Sequence, residues 1–260
     1  MPIIVRNPHS VLAALQKRPQ DVTHINVPRG ARGSGPDDVW AQVVRVAEQK
    51  RVPISSGGTP GGGGGRSTRG APAQQPQDGR EGTAGEATIK DKPSLSAHEL
   101  FSDARERAGG KGLWLALDSL QDPHNVGAIF RAAAFFGVQG ILLTSERSAP
   151  MSGTVYDVSC GGVEHVPYTM QTNLQQAFEI AKEAGCWILG TSEHAHDDMN
   201  TIARDRPWLL VLGNEEKGMR RLTEENCDVL CKISARGSGV TSLNVSVAAG
   251  ILIQKLTLPE

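Results

Sequence analysis

Cysteine is scarce in this sequence, with only four residues among 260. A disulfide-stabilised scaffold is denser in cysteine and shorter, so we expect reduced thiols. Cys227 and Cys231 are four residues apart, but no second pair with ligand spacing accompanies them. The sequence therefore predicts no metal site.

Long apolar runs are also missing. The run from Val245 to Ile253 is interrupted by Ser246 and Gly250, and it falls well short of the roughly 20 residues that a membrane-spanning helix needs. The first ten residues, MPIIVRNPHS, contain no basic stretch that leads into a long apolar segment, so no secretory signal is expected. These absences predict a cytoplasmic protein without a membrane partner.

Net charge is nearly absent, at −1, but the two ends of the chain differ in sign. Residues 1–56 carry eight Lys and Arg against four Asp and Glu, a net charge of +4. Residues 111–260 carry 12 against 17, a net charge of −5. A basic segment of this size is often an ordinary solvated surface, but next to the motifs below it is a candidate RNA-binding module.

Glycine is concentrated in one place, with 11 of the 30 glycines between Gly57 and Gly85. From residue 57 to residue 90 the only large apolar side chain is Ile89, so burial cannot offset the ordering entropy of this segment. A phosphate-binding P-loop does not fit, because Pro60 stands at its first glycine position and Arg66 replaces its lysine. We predict a flexible linker or insertion over residues 57–110.

The segment before this linker, residues 1–56, is predicted to be a small α/β domain. Strand patterns lie near residues 22–27 and 51–54, and a helix pattern covers residues 37–50. Asp37 or Asp38 can cap that helix. A closing strand is not recognisable in this segment, which leaves the completeness of the domain open.

Residues 111–260 alternate between strand and helix patterns. Apolar runs predict strands at 113–117, 141–143, 186–190, 208–212 and 229–233, and amphipathic patterns predict helices at 126–136, 174–184 and 243–256. Such alternation predicts an α/β domain with a largely parallel sheet that is covered by helices on both faces.

Three polar, glycine-containing segments follow strands of this predicted sheet. They are DPHNVGAIFRAAAFFG at 122–137, LVLGNEEKGM at 210–219 and SLNVSVAAG at 242–250. Ligands of parallel α/β sheets bind at the carboxyl ends of the strands. The three segments are therefore expected to form one site.

These segments resemble motifs 1, 2 and 3 of the SpoU (TrmH-like) RNA 2'-O-ribose methyltransferases of the SPOUT superfamily. The resemblance covers about residues 111–258, including 146–167, and it implies an α/β fold with a C-terminal trefoil knot. It also implies S-adenosylmethionine bound in the knot loops and a homodimer whose active site uses both chains. The front segment is more loosely similar to the small RNA-binding domain of family members that methylate large-subunit rRNA.

The resemblance implies cofactor contacts at the ends of the strands. Gly213 and Gly218 flank a loop in which the backbone can approach a ligand closely, although two glycines could also simply end a strand. The residues expected to contact the cofactor are Thr144, Leu212, Gly213, Ile233 and Leu243.

The catalytic residues implied by the resemblance are Arg131, Asn125, Glu215, Asn244 and Ser242. Arg131 would clamp RNA phosphate and orient the 2'-hydroxyl; the family's matching arginine is also proposed to take its proton, but a free guanidinium is too basic to lose its own proton readily. Asn125 and Asn244 would hold the ribose, the arginine or a loop, or else cap local turns. Glu215 would pair with Arg131 or contact the substrate base, and Ser242 completes the polar edge.

Some residues depart from the family pattern or belong to the surroundings of the motifs. Glu216 stands where the family usually has glycine, and Ser234 occupies a common proline position in a motif 3 loop that is one residue longer than usual. His124 is expected in a turn, and His194 and His196 are expected in a solvated loop rather than at a metal.

The sequence thus predicts an S-adenosylmethionine-dependent enzyme that methylates the 2'-hydroxyl of a guanosine in large-subunit rRNA. A tRNA ribose methyltransferase is the alternative within the same chemistry, because the front segment matches only loosely. A noncatalytic RNA-binding or ribosome-assembly protein is the alternative from another class, and Arg131 and motif 3 speak against it. The expected partners are RNA and a second copy of the chain.

Overall fold

The computed structural model describes residues 2–31, 35, 37–56, 85–102, 104–107, 109–239 and 242–258. The chain divides into two compact units, Met1–Lys90 and Asp91–Glu260. No helix within the described ranges has both the length and the apolar character that crossing a lipid bilayer requires.

The first unit is a small sheet with helices packed on it. Its elements are β1 Pro2–Val5, α1 Pro8–Lys17, β2 Val22–Val27, α2 Val39–Lys50, β3 Ile54–Ser56 and β4 Glu86–Lys90, with a short 3-10 turn at Pro19–Asp21. The strand order is β1-β4-β2-β3. β4 runs antiparallel to β1 and β2, and β2 runs parallel to β3.

The helix α2 begins at Val39, two residues after the predicted start, and Asp38, one of the two predicted caps, is its N-cap. The Asp38 side chain accepts a hydrogen bond from the Ala41 N–H at 3.1 Å and so satisfies one of the free amides at the helix start. Val43 and Ala47 are fully buried on the inner face. The helix ends at Arg51, whose φ of 58° is left-handed.

The linker predicted over 57–110 is too long at its carboxyl end. Residues 57–84 lie outside the described residues, but Glu86–Lys90 forms β4, the closing strand that the sequence analysis did not find. Ala87 and Ile89 alternate with polar residues and are buried, at 1% and 0% exposure. The alternation of Ala87 and Ile89 with polar residues was therefore the signal of a half-buried strand.

The second unit starts with two short helices and continues with strands and helices in alternation. Its elements are α3 Ala97–Phe101, α4 Ala104–Arg107, β5 Leu113–Leu117, α5 Pro123–Phe136, β6 Gly140–Thr144, α6 Gly153–Ser159, α7 Gly162–His165, β7 Tyr168–Gln171, α8 Leu174–Glu183, β8 Trp187–Thr191, β9 Asp197–Asp198, β10 Trp208–Leu212, α9 Arg221–Glu225, β11 Val229–Lys232 and α10 Val245–Thr257, with a 3-10 turn at Met199–Thr201. The helices α3 and α4 also fall within the stretch that was predicted as a linker. This part of the stretch is folded, since Leu100 and Phe101 of α3 are buried core residues.

A parallel sheet organises the second unit, in the order β7-β6-β5-β10-β8-β11-β9. Trp114 of β5 packs in one cluster with Phe101 of α3 and Phe178 of α8. Since side chains alternate along a strand, Leu115 lies on the opposite face, where α5 packs against α6, α7 and α10. The predicted α/β architecture with a parallel sheet is confirmed, and β5 and β10 have the predicted bounds.

Candidate active site

A cavity of about 610 Å³ lies at the carboxyl edge of the sheet, within the size range of roughly 300–1,000 Å³ that is usual for ligand sites. It is lined by the residues that follow β8, β10 and β11 and by the start of α10. From the predicted sites, the lining includes Leu212, Gly213, Glu215, Ile233, Ser242 and Leu243. The structure therefore brings motifs 2 and 3 to one cavity.

The loop after β10, residues 213–219, is held in a tight turn. The Asn214 N–H donates to the Gly218 carbonyl at 2.9 Å, and the Gly218 N–H donates to the Asn214 carbonyl at 3.0 Å. A Cβ at Gly213 would lie 2.3 Å from the Gly218 carbonyl carbon and the Met219 nitrogen. Only glycine fits at position 213, so close packing of the loop explains this glycine, and it does more than end the strand.

Asn214 organises this loop, and sequence reasoning missed it. Its Oδ1 accepts hydrogen bonds from the N–H groups of Glu216 and Lys217, at 3.1 and 3.2 Å. Its Nδ2 donates to the Ser119 carbonyl at 2.9 Å and to Glu215 Oε2 at 3.2 Å. Asparagine favours turns because its side chain can accept a hydrogen bond from the backbone two residues on, and this signal could have identified the role of Asn214 after the strand.

Three predicted residues from the three motifs form one hydrogen-bonded chain. Asn125 Nδ2 donates to Glu215 Oε1 at 3.1 Å, and Asn244 Nδ2 donates to Asn125 Oδ1 at 3.0 Å. Asn125 is only 6% exposed, and both ends of its amide are used, which fixes the orientation of the amide. Asn244 also caps α10, because its Oδ1 accepts from the Ser246 N–H at 2.9 Å.

Arg131 lies apart from these three hydrogen-bonded residues. It is exposed on α5 and does not line the cavity. Six residues separate it from Asn125, which corresponds to about 120° around a helix. Within the described part of the chain, its side chain has no hydrogen bond or ion pair, and Glu215 binds Asn125 and Asn214 instead of Arg131.

Thr144 does not line the cavity either. Its hydroxyl is buried at the end of β6, where it accepts a hydrogen bond from the Ser119 N–H at 2.9 Å and contacts the Ser148 hydroxyl. The reason is strand order: β5 separates β6 from β10. Thr191, which ends β8 on the other side of β10, is the threonine that lines the cavity.

The motif 3 loop is supported from β9. Asp198 accepts hydrogen bonds from Ser234 and Asn200, which lower the pKa of its carboxyl below the usual value. Ser234 therefore fastens the start of the loop at the position where proline is common. Cys231 is part of the cavity wall, and burial raises the pKa of its thiol to about 12, so the thiol is protonated at neutral pH.

The histidines noted in the sequence are peripheral. The backbone N–H of His124 donates to Asp122 Oδ1 at 2.8 Å in the first turn of α5. His194 is exposed and lies beside Glu193. Across the part of the chain that the structure describes, no group of three or more His, Cys, Asp or Glu is arranged to hold a metal ion.

Residues 112–254 match the family model of the SpoU rRNA Methylase family. The chain belongs to this family. The 23S rRNA (guanosine-2'-O-)-methyltransferase RlmB of Pseudomonas aeruginosa is 42% identical over 154 residues, which are 59% of this chain and 62% of that protein. RlmB of Pseudomonas syringae pv. tomato is 31% identical over 246 residues, 94% of this chain and 91% of that protein.

The first of these alignments spans less than two thirds of the relative's own length. Among solved structures, the SpoU methyltransferase AviRb from Streptomyces viridochromogenes in complex with AdoMet has a TM-score of 0.72 and 19% identity, over 98% of this chain and 89% of that chain. An AdoMet-bound rRNA methyltransferase from Sinorhizobium meliloti has a TM-score of 0.71 and 18% identity, over 98% and 86%. At these identities the likeness shows the shared fold.

Proposed function

We propose that this chain is an S-adenosylmethionine-dependent methyltransferase that modifies the ribose 2'-hydroxyl of a guanosine in 23S-type rRNA. The observation that carries the proposal is the chain of hydrogen bonds from Asn244 through Asn125 to Glu215, which stands beside a cavity of cofactor size. Membership of the family and the 23S rRNA guanosine activity in the names of the RlmB relatives support it.

The cavity fits the adenosyl cofactor on the chemistry of its walls. Leu212, Ile233 and Leu243 supply apolar surface for a base, and the close backbone packing that Gly213 allows holds the loop after β10 at the cavity wall. Thr191 adds a hydroxyl on the wall, and Ser242 adds another at the rim. When bound, S-adenosylmethionine supplies an electrophilic methyl group on a positively charged sulfur.

The polar chain positions the ribose. Glu215 is exposed at the cavity while Asn125 and Asn214 hold its two carboxylate oxygens, so the carboxylate is oriented before substrate arrives. Such preorganisation lowers the cost of aligning a weakly acidic hydroxyl for attack. Arg131 is assigned to the RNA phosphate and to charge on the reacting oxygen, because a planar guanidinium binds phosphate by two parallel hydrogen bonds.

The exposed position of Arg131 supports a homodimer in which it acts at the cavity of the partner subunit. Val247 and Ile251 are four residues apart and expose apolar side chains along one side of α10, at 51% and 37%, and Leu243, just before the helix, is 49% exposed. Phe135 of α5, which packs against α10, is 82% exposed. We assign this surface to the dimer interface, and the loops around the cavity to the trefoil knot that the family resemblance implies.

The first unit is assigned to RNA binding, in keeping with the net charge of +4 over residues 1–56. The alignment with RlmB of Pseudomonas syringae pv. tomato extends over this part of the chain, which favours 23S rRNA over tRNA as the substrate. An enzyme of ribosomal RNA acts in the cytoplasm, where we place the protein.

The experiment is to map 2'-O-methyl groups in RNA from cells with and without the protein. Loss of a single guanosine methylation in 23S rRNA is the expected result. Loss of a methyl group in tRNA would support the alternative substrate. Unchanged methylation, together with no transfer to unmodified 23S rRNA by the purified protein, would favour a noncatalytic RNA-binding role.

A further inference from the structure

A second cavity, of about 370 Å³, lies in the methyltransferase unit and has no role in the site described above. It is bordered by the residues that follow β7 and by the start of α9, and its polar lining consists of Thr172, Asn173, Gln175, Arg220, Arg221 and Asn226, with Thr223 beside them. Two arginines and no carboxylate stand among the described residues of its wall. This composition suits an anion.

Arg220 is held in place by a carboxylate that is completely buried. Its Nε lies 2.7 Å from Asp118 Oδ1, and its backbone N–H donates to Asp118 Oδ2 at 3.1 Å. The Asp118 side chain is 0% exposed, whereas the Arg220 side chain is 46% exposed. The ion pair therefore fixes the Nε side of the guanidinium. The outer end of the guanidinium, with its two Nη nitrogens, is left at the cavity.

The outer end of this guanidinium is available to a ligand. Its two Nη nitrogens have no hydrogen-bond acceptor among the residues that the structure describes. Arg221 pairs with Glu225 on the surface, with side-chain exposures of 77% and 53%. Exposed ion pairs of this kind contribute little to stability, so Arg221 can exchange its partner for a ligand at little cost.

The cavity is also connected to the active site. Asp118 is followed by Ser119, whose carbonyl accepts a hydrogen bond from Asn214 at 2.9 Å, and Asn214 in turn holds Glu215. An RNA strand that enters the active site carries a phosphate at each nucleotide, and fixed guanidinium groups favour phosphate by geometry as well as charge.

We propose that this cavity binds a backbone phosphate of the RNA strand that carries the target nucleotide, through Arg220 and Arg221. This inference rests on the proposed function for the identity of the RNA. Arg220 serves as the preorganised contact, Asp118 as its positioning residue, and Arg221 as the second cation. The amide side chains of Asn173 and Gln175 complete a polar wall around the phosphate.

The test compares Arg221→Glu with Lys111→Glu in the full-length protein. Both residues are exposed and both changes are equal in charge, but Lys111 precedes β5 at the opposite edge of the sheet. Binding of an unmodified 23S rRNA transcript is measured between about 50 and 200 mM salt. Arg221→Glu should weaken binding about tenfold and reduce the slope of log affinity against log salt by about 0.7–0.9. Lys111→Glu should retain the slope of the unaltered protein.

Methyl transfer separates this proposal from the proposed function. Arg221→Glu should raise KM for the transcript about tenfold, while kcat, cofactor affinity and Tm stay close to their original values. Equal losses in the two variants, or no RNA binding by the unaltered protein, would overturn the phosphate site. A binding loss specific to Arg221→Glu without any methyl transfer by the unaltered protein would overturn the proposed function and leave the phosphate site standing.

Discussion

The residues of the candidate site differ in what fixes them. Asn125 and Asn214 each use both ends of their amide groups in hydrogen bonds to other groups of the protein. Arg131 lies at the other extreme, because it is exposed and makes no side-chain hydrogen bond within the described ranges. Its substitution should therefore separate catalysis from folding.

Arg131→Ala should lose most methyl transfer, on the order of 10²- to 10³-fold, if the guanidinium stabilises charge that develops in the transition state. Cofactor affinity and Tm should stay nearly unchanged, since the side chain is exposed and lies outside the cavity wall. The measurement is tritiated methyl incorporation into unmodified 23S rRNA, with calorimetry and thermal melting on the same sample. Arg131→Lys serves as the control for charge alone and should restore little activity.

Parallel losses of activity, cofactor binding and Tm in Arg131→Ala would contradict the catalytic assignment, because they would indicate a structural role. Full activity in this variant would contradict it as well.

At the candidate site, the sequence selected three residues that the structure brings together, while their catalytic roles stay a prediction. Asn125, Glu215 and Asn244 were selected because they match motifs, and they meet in space because parallel strands share one carboxyl edge. Thr144 was expected at the cofactor from the family resemblance, and sequence alone does not reveal which strands are neighbours. The strand order places Thr191 at the cavity instead.

At the scale of elements, the strands with uniform apolar runs were predictable. Leu113–Leu117 and Trp208–Leu212 are buried throughout, as central parallel strands are, and their bounds agree with the prediction. β4 was missed, because one face of this short strand is polar and it follows a glycine-rich segment. Whether such a short segment forms a strand depends on how its side chains pack in the folded protein, and sequence patterns describe this packing poorly.

The conformation of the loop after β10 depends on Gly213. Gly213→Ala would place a methyl group 2.3 Å from backbone atoms of Gly218 and Met219, so the loop must shift at the cavity wall. Overpacking of this kind typically costs about 1–3 kcal/mol, which corresponds to a 5- to 150-fold loss of cofactor affinity if the bound conformation bears the cost. Calorimetry with S-adenosylmethionine measures this change.

The matched control for this prediction is Gly237→Ala. Gly237 also lines the cavity, but a Cβ there has no atom within 4 Å and its φ lies outside the left-handed range. We expect this variant to bind the cofactor as the unaltered protein does. Equal affinities for the two alanine variants would show that the close packing at Gly213 does not shape the cofactor site.

At the scale of the whole molecule, the chain combines a basic front segment with an acidic methyltransferase unit. This charge division was visible in the sequence, whereas the separation of Arg131 from the cavity of its own chain was not. The family resemblance implied an active site that uses both chains, but motif order does not say on which side of a helix each residue lies, so the sequence did not separate Arg131 from Asn125 and Glu215. The exposed apolar side chains of α10 and the position of Arg131 support the proposal of a site shared between two subunits.

A shared site predicts complementation between two impaired variants, one without the arginine and one with weakened cofactor binding. Arg131→Ala retains an intact cavity, and Gly213→Ala retains an intact Arg131. Co-expression of the two chains with different affinity tags gives mixed dimers, in which one of the two sites combines the intact cavity of one subunit with the intact arginine of the other. Purified mixed dimers should recover about half of the normal methyl transfer, since one site in each symmetric pair is restored.

The homodimers of each variant are the controls, assayed with S-adenosylmethionine below its Kd for the unaltered protein. Arg131→Ala should be nearly inactive, and Gly213→Ala should lose activity in proportion to its weaker cofactor binding. Light scattering must show particles of twice the chain mass of 27.7 kDa. If Arg131 served the cavity of its own chain, each mixed dimer would contain one site without the arginine and one with a distorted cavity, so activity would stay at the level of the homodimers. Recovery of methyl transfer therefore distinguishes a shared site from two independent ones. A mixed dimer has a complete site only if Arg131 of one subunit acts at the cavity of the other.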